Sequence, residues 1–528
     1  MITRTASSAL LATLAAAAAS AQAAPRPMPA QPPALVVFIT VDQLREDYLV
    51  KYAPQFTGGL ARLVRGGAFF TNAMLDYATT ETAPGHSTGM SGRYPMHHGI
   101  VSNTLGVFDP ESPVIGNPRA FASPFRFRGG TFMDWLRMKD PRARAISVSR
   151  KDRGAILPLG RAHQEVYWYD GSNGTFTTST YYTDTLPPWL RALNAKRLPA
   201  MQAGKVWTPL LPDSAYAEKD SVVFENFGTD FMFPHPMPAD TAAAIRALTE
   251  SPYMDELTLQ VALTGVKQTN LGVGPWTDIL AISLSTTDAV GHRYGPDSKE
   301  IHDMILRLDR MLGTFFDSLF AVRDPAHVVI ALTADHGVAP MPEWTLTTQH
   351  TPAQRVNLDG IAARIDTALA KRGANPDDFH FEDEMLFVRR DALTRAGVNV
   401  DSIVREFAAA AAATPGVQKV YRRADLAKDT LIDAAARRWY HSLPSDFPVE
   451  LVVVLKPFSV FGTYAPAIHG SVHDYDNHIP VLFYGAAFKP GQYSAPTLLV
   501  DMAPTLAWVT ATVPTDRVDG SVLWSALK

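Results

Sequence analysis

The sequence contains no cysteine among its 528 residues. This absence excludes disulfide bridges, thiolate metal sites, a cysteine nucleophile and a lipid anchor on an N-terminal cysteine. Any metal ion that the protein binds must therefore be held by histidine, aspartate and glutamate side chains.

The sequence also lacks an excess of positive charge. It has 48 lysine and arginine residues against 52 aspartate and glutamate residues, a formal net charge of −4. Proteins that bind nucleic acid through its phosphates need a basic surface, so we expect no nucleic-acid binding. After the N-terminal segment no run approaches the roughly 18 consecutive apolar residues of a transmembrane helix, and we expect no membrane span.

Residues 1–24 have the pattern of a signal peptide. A basic residue, Arg4, is followed by an alanine-rich apolar stretch and by a small-x-small cleavage pattern that ends at Ala23. The alternative is an N-terminal membrane anchor, but the apolar stretch is too short to span a bilayer. We therefore predict export to the periplasm or the medium. A proline-rich leader at 25–33 precedes the predicted catalytic domain at 34–528.

Short apolar runs alternate with helical patterns along the chain, which predicts an α/β fold with a mostly parallel central sheet flanked by helices. Runs typical of strands buried on both faces occur at residues 34–40, 145–148, 279–284, 328–332 and 481–483. A long amphipathic helix is predicted over residues 299–320.

Two segments are predicted as insertions over the active-site end of the sheet. The first, at about 155–260, is rich in tyrosine, tryptophan, proline and threonine. The second, at about 345–455, is predicted as a small α+β subdomain. Its predicted elements are a helix at 360–371, a strand at 385–389, a helix at 402–414 and a strand at 417–421.

Acidic and histidine residues follow three of the predicted strands. Asp42 follows the first run, Asp288 follows the run at 279–284, and Asp335 and His336 follow the run at 328–332. A single aspartate after a strand is usually a turn former or a helix cap. Because ligands bind at the carboxyl ends of parallel strands, however, three such strands together predict a metal site.

The spacing of these residues is compatible with shared ions. Asp288 and His292 are four residues apart and lie on the same side of a helical turn. Asp335 and His336 are adjacent and can act together only in a loop, where Gly337 would free the backbone to turn.

A third set of donors comes from the segment that contains His469, His473 and His478, which compete for one role. Nitrogen and oxygen ligands without thiolates suit Zn²⁺, Mn²⁺ or Mg²⁺, and the number of imidazoles favours zinc. The donors are sufficient for two ions about 3.5–4 Å apart, an arrangement used for displacement at phosphorus.

Thr82 is the candidate nucleophile. A threonine hydroxyl needs a base or a metal to lose its proton. Pro84 and Gly85 predict a turn after which a helix begins, with its N-terminus available to an anion. From the residues alone, a threonine that caps a helix is an equally good interpretation.

Six motifs together resemble the alkaline phosphatase superfamily, in the family's order from about residue 35 to the C-terminus. They are FITVDQLREDYL, ETAPGHSTGMSGRYPMHHGIVSN, SVSRKDR, TTDAVGHRYG, TADHG and HGSVHDYDNHIPVLFYG. In detail the chain resembles bacterial alkaline phosphatases that carry a signal peptide, use a threonine nucleophile and are related to type I phosphodiesterases and nucleotide pyrophosphatases. The resemblance implies an alkaline-phosphatase-like fold.

The resemblance also implies a site with two Zn²⁺ ions. One ion would be bound by Asp42, Asp335, His336 and the Thr82 oxygen, and the other by Asp288, His292 and His469. His469 is chosen because it begins a His-Gly-Ser motif followed by Tyr475 and Asp476, as in the family. Val472 stands where the family usually has proline, which leaves His473 as an alternative ligand, while His478 is assigned a structural role.

Three further residues resemble the family's phosphate-binding group: Asn103, Lys151 and Arg153. Lys151 and Arg153 follow a predicted strand two residues apart, so in extended backbone both would project to the same side. A solvated basic cluster with Arg150 is the alternative interpretation. A phosphate monoester has two negative charges and three non-bridging oxygens, which two cations and an amide donor would match.

The implied function is zinc-dependent hydrolysis of small phosphate monoesters through a phospho-threonine intermediate, with an alkaline pH optimum, in a monomer. The main alternative is a phosphodiesterase or nucleotide pyrophosphatase, which has the same two-metal core without the Lys-x-Arg pair. A sulfatase or phosphonate hydrolase of the superfamily commonly needs a modified cysteine, which this chain lacks. A catalytically inactive, metal-stabilised binding protein is the alternative from another class.

Overall fold

The computed structural model describes residues 31–528. The predicted signal peptide at 1–24 and most of the predicted leader at 25–33 lie outside the described residues. Within the described part of the chain, no helix has the length and apolar character needed to cross a membrane.

The strands, in chain order, are β1 Leu35–Val41, β2 Ala68–Met74, β3 Pro113–Val114, β4 Asn117–Phe121, β5 Ala145–Ser149, β6 Glu165–Asp170, β7 Thr175–Thr177, β8 Val206–Trp207, β9 His235–Pro236, β10 Asp278–Leu284, β11 Val328–Thr333, β12 Arg355–Val356, β13 Phe379–Glu382, β14 Met385–Val388, β15 Val417–Arg422, β16 Val449–Leu455, β17 Val460–Phe461, β18 His478–Tyr484, β19 Gly491–Tyr493 and β20 Thr497–Leu498.

The α-helices are α1 Glu46–Lys51, α2 Gly59–Gly66, α3 Thr82–Ser91, α4 Pro95–His98, α5 Phe132–Lys139, α6 Asp152–Ile156, α7 Pro188–Asn194, α8 Thr241–Ala247, α9 Tyr253–Thr269, α10 Thr286–Tyr294, α11 Lys299–Phe320, α12 Pro342–Thr348, α13 Asp359–Ala370, α14 Arg390–Arg395, α15 Val400–Ala412, α16 Arg423–Asp429, α17 Ala434–Ser442, α18 Asp474–Asn477 and α19 Met502–Val509.

A mixed sheet of ten strands forms the centre of the fold. Its order is β19-β2-β18-β11-β1-β10-β5-β6-β7, with β20 paired to β2. The five strands β11, β1, β10, β5 and β6 run parallel to one another, whereas β18 is antiparallel to both β11 and β2, and β7 is antiparallel to β6. The predicted α/β fold with a mostly parallel sheet is confirmed.

The aliphatic runs identify the centre of this sheet. All five predicted runs are strands of it, with ends that differ by at most three residues, and the predicted helix at 299–320 is α11. Every residue of β1, β10 and β11 is buried, because helices cover both faces of the sheet.

Part of the segment at about 155–260, predicted as an insertion over the sheet, belongs to the central sheet itself. This range contains β6 and β7, which extend the central sheet beyond β5. The sequence of β6, EVYWYD, has three consecutive aromatic residues in its middle and an acidic residue at each end. It therefore lacks the aliphatic run by which the inner strands were recognised.

Within the predicted subdomain, four antiparallel strands form a second sheet in the order β13-β14-β16-β15. One face packs with α13 and α15 in a separate hydrophobic cluster that includes Phe379, Phe407 and Val453. On the other face, Trp439 of α17 packs together with Ala78 of the main part of the chain. Sequence patterns predicted α13, β14, α15 and β15 but missed β13 and β16.

Candidate active site

Six potential metal ligands lie at the carboxyl ends of the parallel strands, in two groups. Asp42 directly follows β1, and Asp335 and His336 follow β11 in a loop; all three are buried. Asp288 and His292 lie on α10, which follows β10, and His469 lies in the loop before α18. Within each group of three, the potential ligand atoms lie within 4.8 Å of one another.

The three imidazole rings are held by the same kind of hydrogen bond. Each directs Nδ1 at a main-chain carbonyl oxygen, at 2.9 Å from His336 to Gly337, 2.7 Å from His292 to Ala467 and 2.8 Å from His469 to Thr80. With Nδ1 as the donor in each of these bonds, Nε2 is the ring atom left to bind a proton or a metal ion. Histidines that bind metals are held in this way.

Each Nε2 atom faces a carboxylate oxygen. The distances are 3.4 Å from His336 to Asp42, 3.2 Å from His292 to Asp288 and 3.7 Å from His469 to Asp288. Asp42 Oδ1 and His336 Nε2 are buried and have no hydrogen-bond partner within residues 31–528. Buried atoms of this kind normally have partners, and a shared cation would supply one. The residues of both groups therefore fit metal ions.

The electrostatics of the site agree with this fit. Burial raises the pKa of Asp42, as does the charge of Asp288, but Lys151 and His336 outweigh both and hold it well below its ordinary value. Burial lowers the pKa of His336, but the surrounding carboxylates, Asp335 above all, raise it to about 9. The carboxylates are therefore ionised and attract cations.

Thr82 is the first residue of α3 and is only 1% exposed. The prediction that the helix begins after the Pro84-Gly85 turn is wrong, because both residues lie inside the first turn, where proline is tolerated. Gly85 is needed for close packing. A Cβ atom there would lie 2.4 Å from the main-chain oxygen of Asp335, so α3 approaches the loop that carries one metal group.

Lys151 lies between the two groups. Its Nζ atom is 2.6 Å from Asp42 Oδ2, 2.7 Å from Asp288 Oδ2 and 3.0 Å from Thr82 Oγ1. The ammonium group thus neutralises one carboxylate of each group and donates to the candidate nucleophile.

Arg153 and Asn103 line the same cavity as Lys151 and Thr82. The expectation of extended backbone from Lys151 to Arg153 is wrong, because α6 begins directly after Lys151. Both cations nevertheless reach the cavity, since the helix begins at the carboxyl end of β5. Asn103 Oδ1 accepts the N–H of Ala83 at 2.9 Å, which leaves its Nδ2 as a donor for a ligand.

Of the three histidines in the last motif, the structure groups His469 with Asp288 and His292. His473 Nε2 lies 2.9 Å from the carbonyl oxygen of Leu455, away from both groups. His478 Nε2 lies 2.9 Å from the carbonyl oxygen of Thr71.

The sequence suggested that Gly337 gives backbone freedom after Asp335 and His336, but the structure shows another reason for a glycine at this position. A Cβ atom on this residue would lie 2.2 Å from the carbonyl oxygen of Tyr475. The loop that carries Asp335 and His336 therefore packs directly against the segment after His469.

Sequence reasoning missed Gln43, which connects the two metal groups. It has a left-handed backbone, with φ of 65°. Its main-chain N–H donates to Asp335 at 3.1 Å, and its side-chain Nε2 donates to Asp288 at 3.0 Å. The space for this side chain is left by Gly291, where a Cβ atom would lie 1.8 Å from Gln43 Oε1. A glycine inside a helix was the available signal.

Glu81 and His86 were also missed. Glu81 accepts the main-chain N–H of Asn103 at 2.7 Å, and burial, then Asp383, raises the pKa of this carboxyl to about 8. His86 Nδ1 lies 2.9 Å from the carbonyl oxygen of Thr82 and 3.1 Å from Asp335 Oδ2. Both residues fix the surroundings of the nucleophile, and no sequence signal distinguishes them from ordinary helix residues.

The site opens into a cavity of about 980 Å³. The basic side chains on its wall are Arg150, Lys151, Arg153 and Arg293, and the acidic ones outside the metal groups include Glu81, Glu250, Asp359, Glu382, Asp383, Glu384 and Asp476. The subdomain contributes Phe381 and the turn between β13 and β14. The cavity is much larger than a phosphate ion requires, so it has room for the organic part of a substrate.

The sequence profile of the family described as type I phosphodiesterase/nucleotide pyrophosphatase matches residues 36–441. The chain belongs to this family. Among members with names, the alkaline phosphatase PhoV of Synechococcus elongatus is 31% identical over 495 residues, which cover 90% of this chain and 89% of PhoV. The alkaline phosphatase PhoK of Sphingomonas sp. is 30% identical over 542 residues, which cover 94% and 92%.

The fold of this family member is close to a solved structure. The crystal structure of the wild-type alkaline phosphatase PafA matches with a TM-score of 0.87 and 28% identity, over 94% of this chain and 99% of that chain. PafA of Elizabethkingia meningoseptica is also 29% identical over 504 residues. The resemblance inferred from the motifs is confirmed, as is the alkaline-phosphatase-like fold.

Proposed function

We propose that this protein is an alkaline phosphatase that hydrolyses phosphate monoesters with two Zn²⁺ ions. The observation that carries the proposal is the pattern of contacts shared by His292, His336 and His469. In each, Nδ1 faces a main-chain carbonyl oxygen and Nε2 faces an ionised carboxylate. Relatives named alkaline phosphatases match about nine-tenths of the chain. Nitrogen and oxygen donors of this kind suit zinc.

The proposed ligands of the two ions are the two groups of residues described above, with the Thr82 oxygen added to one of them. Asp42, Asp335, His336 and the Thr82 oxygen would hold one ion, and Asp288, His292 and His469 the other. Bound there, such ions would act as Lewis acids toward a phosphoryl group and favour deprotonation of nearby hydroxyl groups.

Thr82 is the proposed nucleophile. Its oxygen forms a bond to phosphorus as the bond from phosphorus to the ester oxygen breaks, and the alcohol leaves with a proton from solvent. Water then cleaves the phospho-threonine and releases phosphate. Thr82 is buried at the start of α3, so a phosphoryl group transferred to it would lie at a helix N-terminus, which favours negative charge.

Lys151, Arg153 and Asn103 are proposed to bind the non-bridging oxygens of the phosphoryl group. Divalent ions held by Asp42 and Asp288 would compete with Lys151 for these carboxylates, which would leave its ammonium group free to bind an anion beside Thr82. A monoester offers two charges to these groups, whereas a diester has one charge and a second organic substituent.

A phosphodiesterase activity is the second candidate, because the matching family is described as type I phosphodiesterase/nucleotide pyrophosphatase. The two cations beside Thr82 favour the monoesterase. We also propose export of the protein after removal of residues 1–24, on the basis of the signal-peptide pattern.

Metal removal tests the proposal directly. We expect a chelator to abolish hydrolysis of p-nitrophenyl phosphate and Zn²⁺ to restore it. Asp288→Ala should lower the zinc content measured by elemental analysis, because it removes a ligand from one ion. Glu406→Ala, at an exposed carboxylate far along the chain, is the control and should leave the zinc content unchanged. Full activity in protein shown to contain no zinc would contradict the proposal.

A further inference from the structure

Arg150 is a cation at the site that the proposed reaction does not use. It lies between β5 and Lys151, and its side chain is 17% exposed on the wall of the active-site cavity. Its Nη2 atom donates to the carbonyl oxygen of Ser285 at 3.3 Å and lies 3.7 Å from Asp288 Oδ2. Its Nε atom is buried and has no hydrogen-bond partner among the described residues.

The other cations on the cavity wall already have a proposed role or an ion-pair partner. Lys151 and Arg153 are assigned to the phosphoryl group. Arg293 is paired with Glu250 at 2.7 Å and lies 3.7 Å from Asp230. An arginine paired in this way has fewer N–H donors free for a ligand.

Arg150 has no equivalent partner. The carboxylate that it approaches, Asp288, is assigned to a metal ion. The nearby carboxylate of Asp255 accepts the main-chain N–H groups of Ser285 and Thr286, at 3.1 and 3.2 Å. Burial raises the pKa of Asp255 to about 6 against the lowering effect of the Arg150 charge, but the two side chains form no ion pair within 4.0 Å. If Asp288 bound an ion, Arg150 would keep Asp255 as a nearby counter-charge but would have no carboxylate in direct contact.

The surroundings of Arg150 leave room for part of a substrate. A side cavity of about 310 Å³ shares Arg150, Lys151 and Thr249 with the active-site cavity and is also lined by Trp168. Arg150 therefore stands where the two cavities meet, beside the metal group that contains Asp288. An organic group attached to a phosphoryl group at Thr82 has space to extend toward it.

We propose that Arg150 binds a second anionic group, a carboxylate or a phosphate, on the organic part of the substrate. The preferred substrates are then phosphate monoesters that carry another negative charge within a few bonds of the ester oxygen. A guanidinium group suits both anions because it offers paired donors in a fixed plane. This inference rests on the proposed phosphatase function.

The test uses matched substrates with and without the second charge. The probes are 3- and 4-carboxyphenyl phosphate, with the neutral 3- and 4-carbamoylphenyl phosphates as partners of the same shape. For each substrate, kcat/KM of the wild type is divided by that of Arg150→Gln, so that the intrinsic reactivity of the leaving group cancels. We expect the loss to be about 10- to 100-fold larger for at least one carboxylate substrate than for its amide partner.

Two variants separate substrate binding from a structural effect. Arg150→Lys keeps the charge and should retain part of the preference for the carboxylate. Arg293→Gln removes a paired cation from the same wall and should affect the acid and the amide equally. The zinc content of each variant shows whether Asp288 still holds its ion.

The outcomes distinguish this inference from the proposed function. If the wild type hydrolyses all four esters and Arg150→Gln loses rate equally on acids and amides, Arg150 acts only through Asp288 and the inference is wrong, while the phosphatase function stands. The inference would also be wrong if Arg293→Gln lost as much of the preference for the carboxylate substrate over its amide partner as Arg150→Gln does. Any cation on the cavity wall would then suffice. If the zinc-loaded wild type hydrolyses none of the esters, both proposals are wrong.

Discussion

At the scale of single residues, the site depends on which atom of each side chain is left free. The carbonyl oxygens of Gly337, Ala467 and Thr80 fix three imidazoles so that Nε2 is available. These contacts come from loops that are distant in sequence. They could not be predicted from the chain, although the ligand residues themselves could.

Thr82 allows the covalent mechanism to be tested. We expect Thr82→Ala to lower turnover by at least about 10³-fold and to abolish the phosphoenzyme, because no other hydroxyl occupies its position. Thr82→Ser keeps a hydroxyl and should retain part of the rate. The measurements are steady-state rates and mass spectrometry of acid-quenched protein.

The control for Thr82 is Thr249→Ala, since Thr249 also lines the cavity but its hydroxyl donates to the carbonyl oxygen of Arg246 at 3.0 Å. It should form the phosphoenzyme normally. If Thr82→Ala turned over at the wild-type rate with zinc bound, water would attack phosphorus directly and the covalent mechanism would be wrong.

Gly291 provides a test of the contact from Gln43 to Asp288. A methyl group at position 291 displaces the Gln43 amide, so Gly291→Ala should weaken zinc binding about 10- to 100-fold, as loss of a hydrogen bond to a ligand typically does. Gln43→Met should have the same effect, and the double variant should be no worse than either. Chelator competition measures the affinity.

The control for Gly291→Ala is Gly360→Ala, because a Cβ atom at Gly360 has no neighbour within 4 Å. Zinc affinity in this variant should equal that of the wild type. Unchanged affinity in Gly291→Ala and Gln43→Met would show that Gln43 has no part in holding Asp288.

At the scale of elements, the inner strands of the central sheet and the long helix α11 could be predicted because their composition and periodicity are strong. The strand β16, with the sequence VELVVVL, is equally aliphatic but was missed. The strands β2 and β6 could not be predicted, because their residues are aromatic and polar. The start of α3 was misplaced, since Pro84 and Gly85 usually mark turns. Here, tight packing of α3 against Asp335 decides instead.

The segment between β8 and β9 gives a prediction for stability against pH. Glu225 is 2% exposed, and burial, then Glu300 and Asp220, raises its pKa from 4.5 to about 10. The folded protein therefore keeps a proton on Glu225 that the unfolded chain releases above about pH 4.5. The contribution of Glu225 to stability therefore falls as the pH rises from there toward 10.

Glu225→Gln removes this dependence, because the amide is neutral in both states. We expect the variant to be more stable than the wild type by on the order of 1–3 kcal/mol at pH 9, with a smaller difference at pH 5. Denaturant midpoints at the two pH values measure this. Glu406→Gln, at an exposed position, should follow the wild type at both. If the difference in stability between Glu225→Gln and the wild type were the same at both pH values, the raised pKa of Glu225 would be contradicted.

At the scale of the whole molecule, the residues of the candidate site lie at one edge of the central sheet. The strands β1, β10, β11 and β5 deliver the two metal groups and the basic residues to the same end. This convergence was predictable from parallel topology, and it explains why residues nearly 430 positions apart in sequence, Asp42 and His469, belong to one site. Insertions over this end of the sheet were predicted, but the residues that they contribute to the cavity wall, such as Phe381, were not.

The most direct test of the account compares a monoester with a diester. The measurement is kcat/KM of the wild type, Lys151→Ala and Arg153→Ala for p-nitrophenyl phosphate and its methyl ester, at one pH and with saturating zinc. The account predicts that the wild type prefers the monoester. It also predicts that each variant loses about 30- to 1000-fold on the monoester and little on the diester, because only the monoester has charge for both cations. A wild-type preference for the diester, or equal losses on both substrates, would contradict the monoesterase assignment.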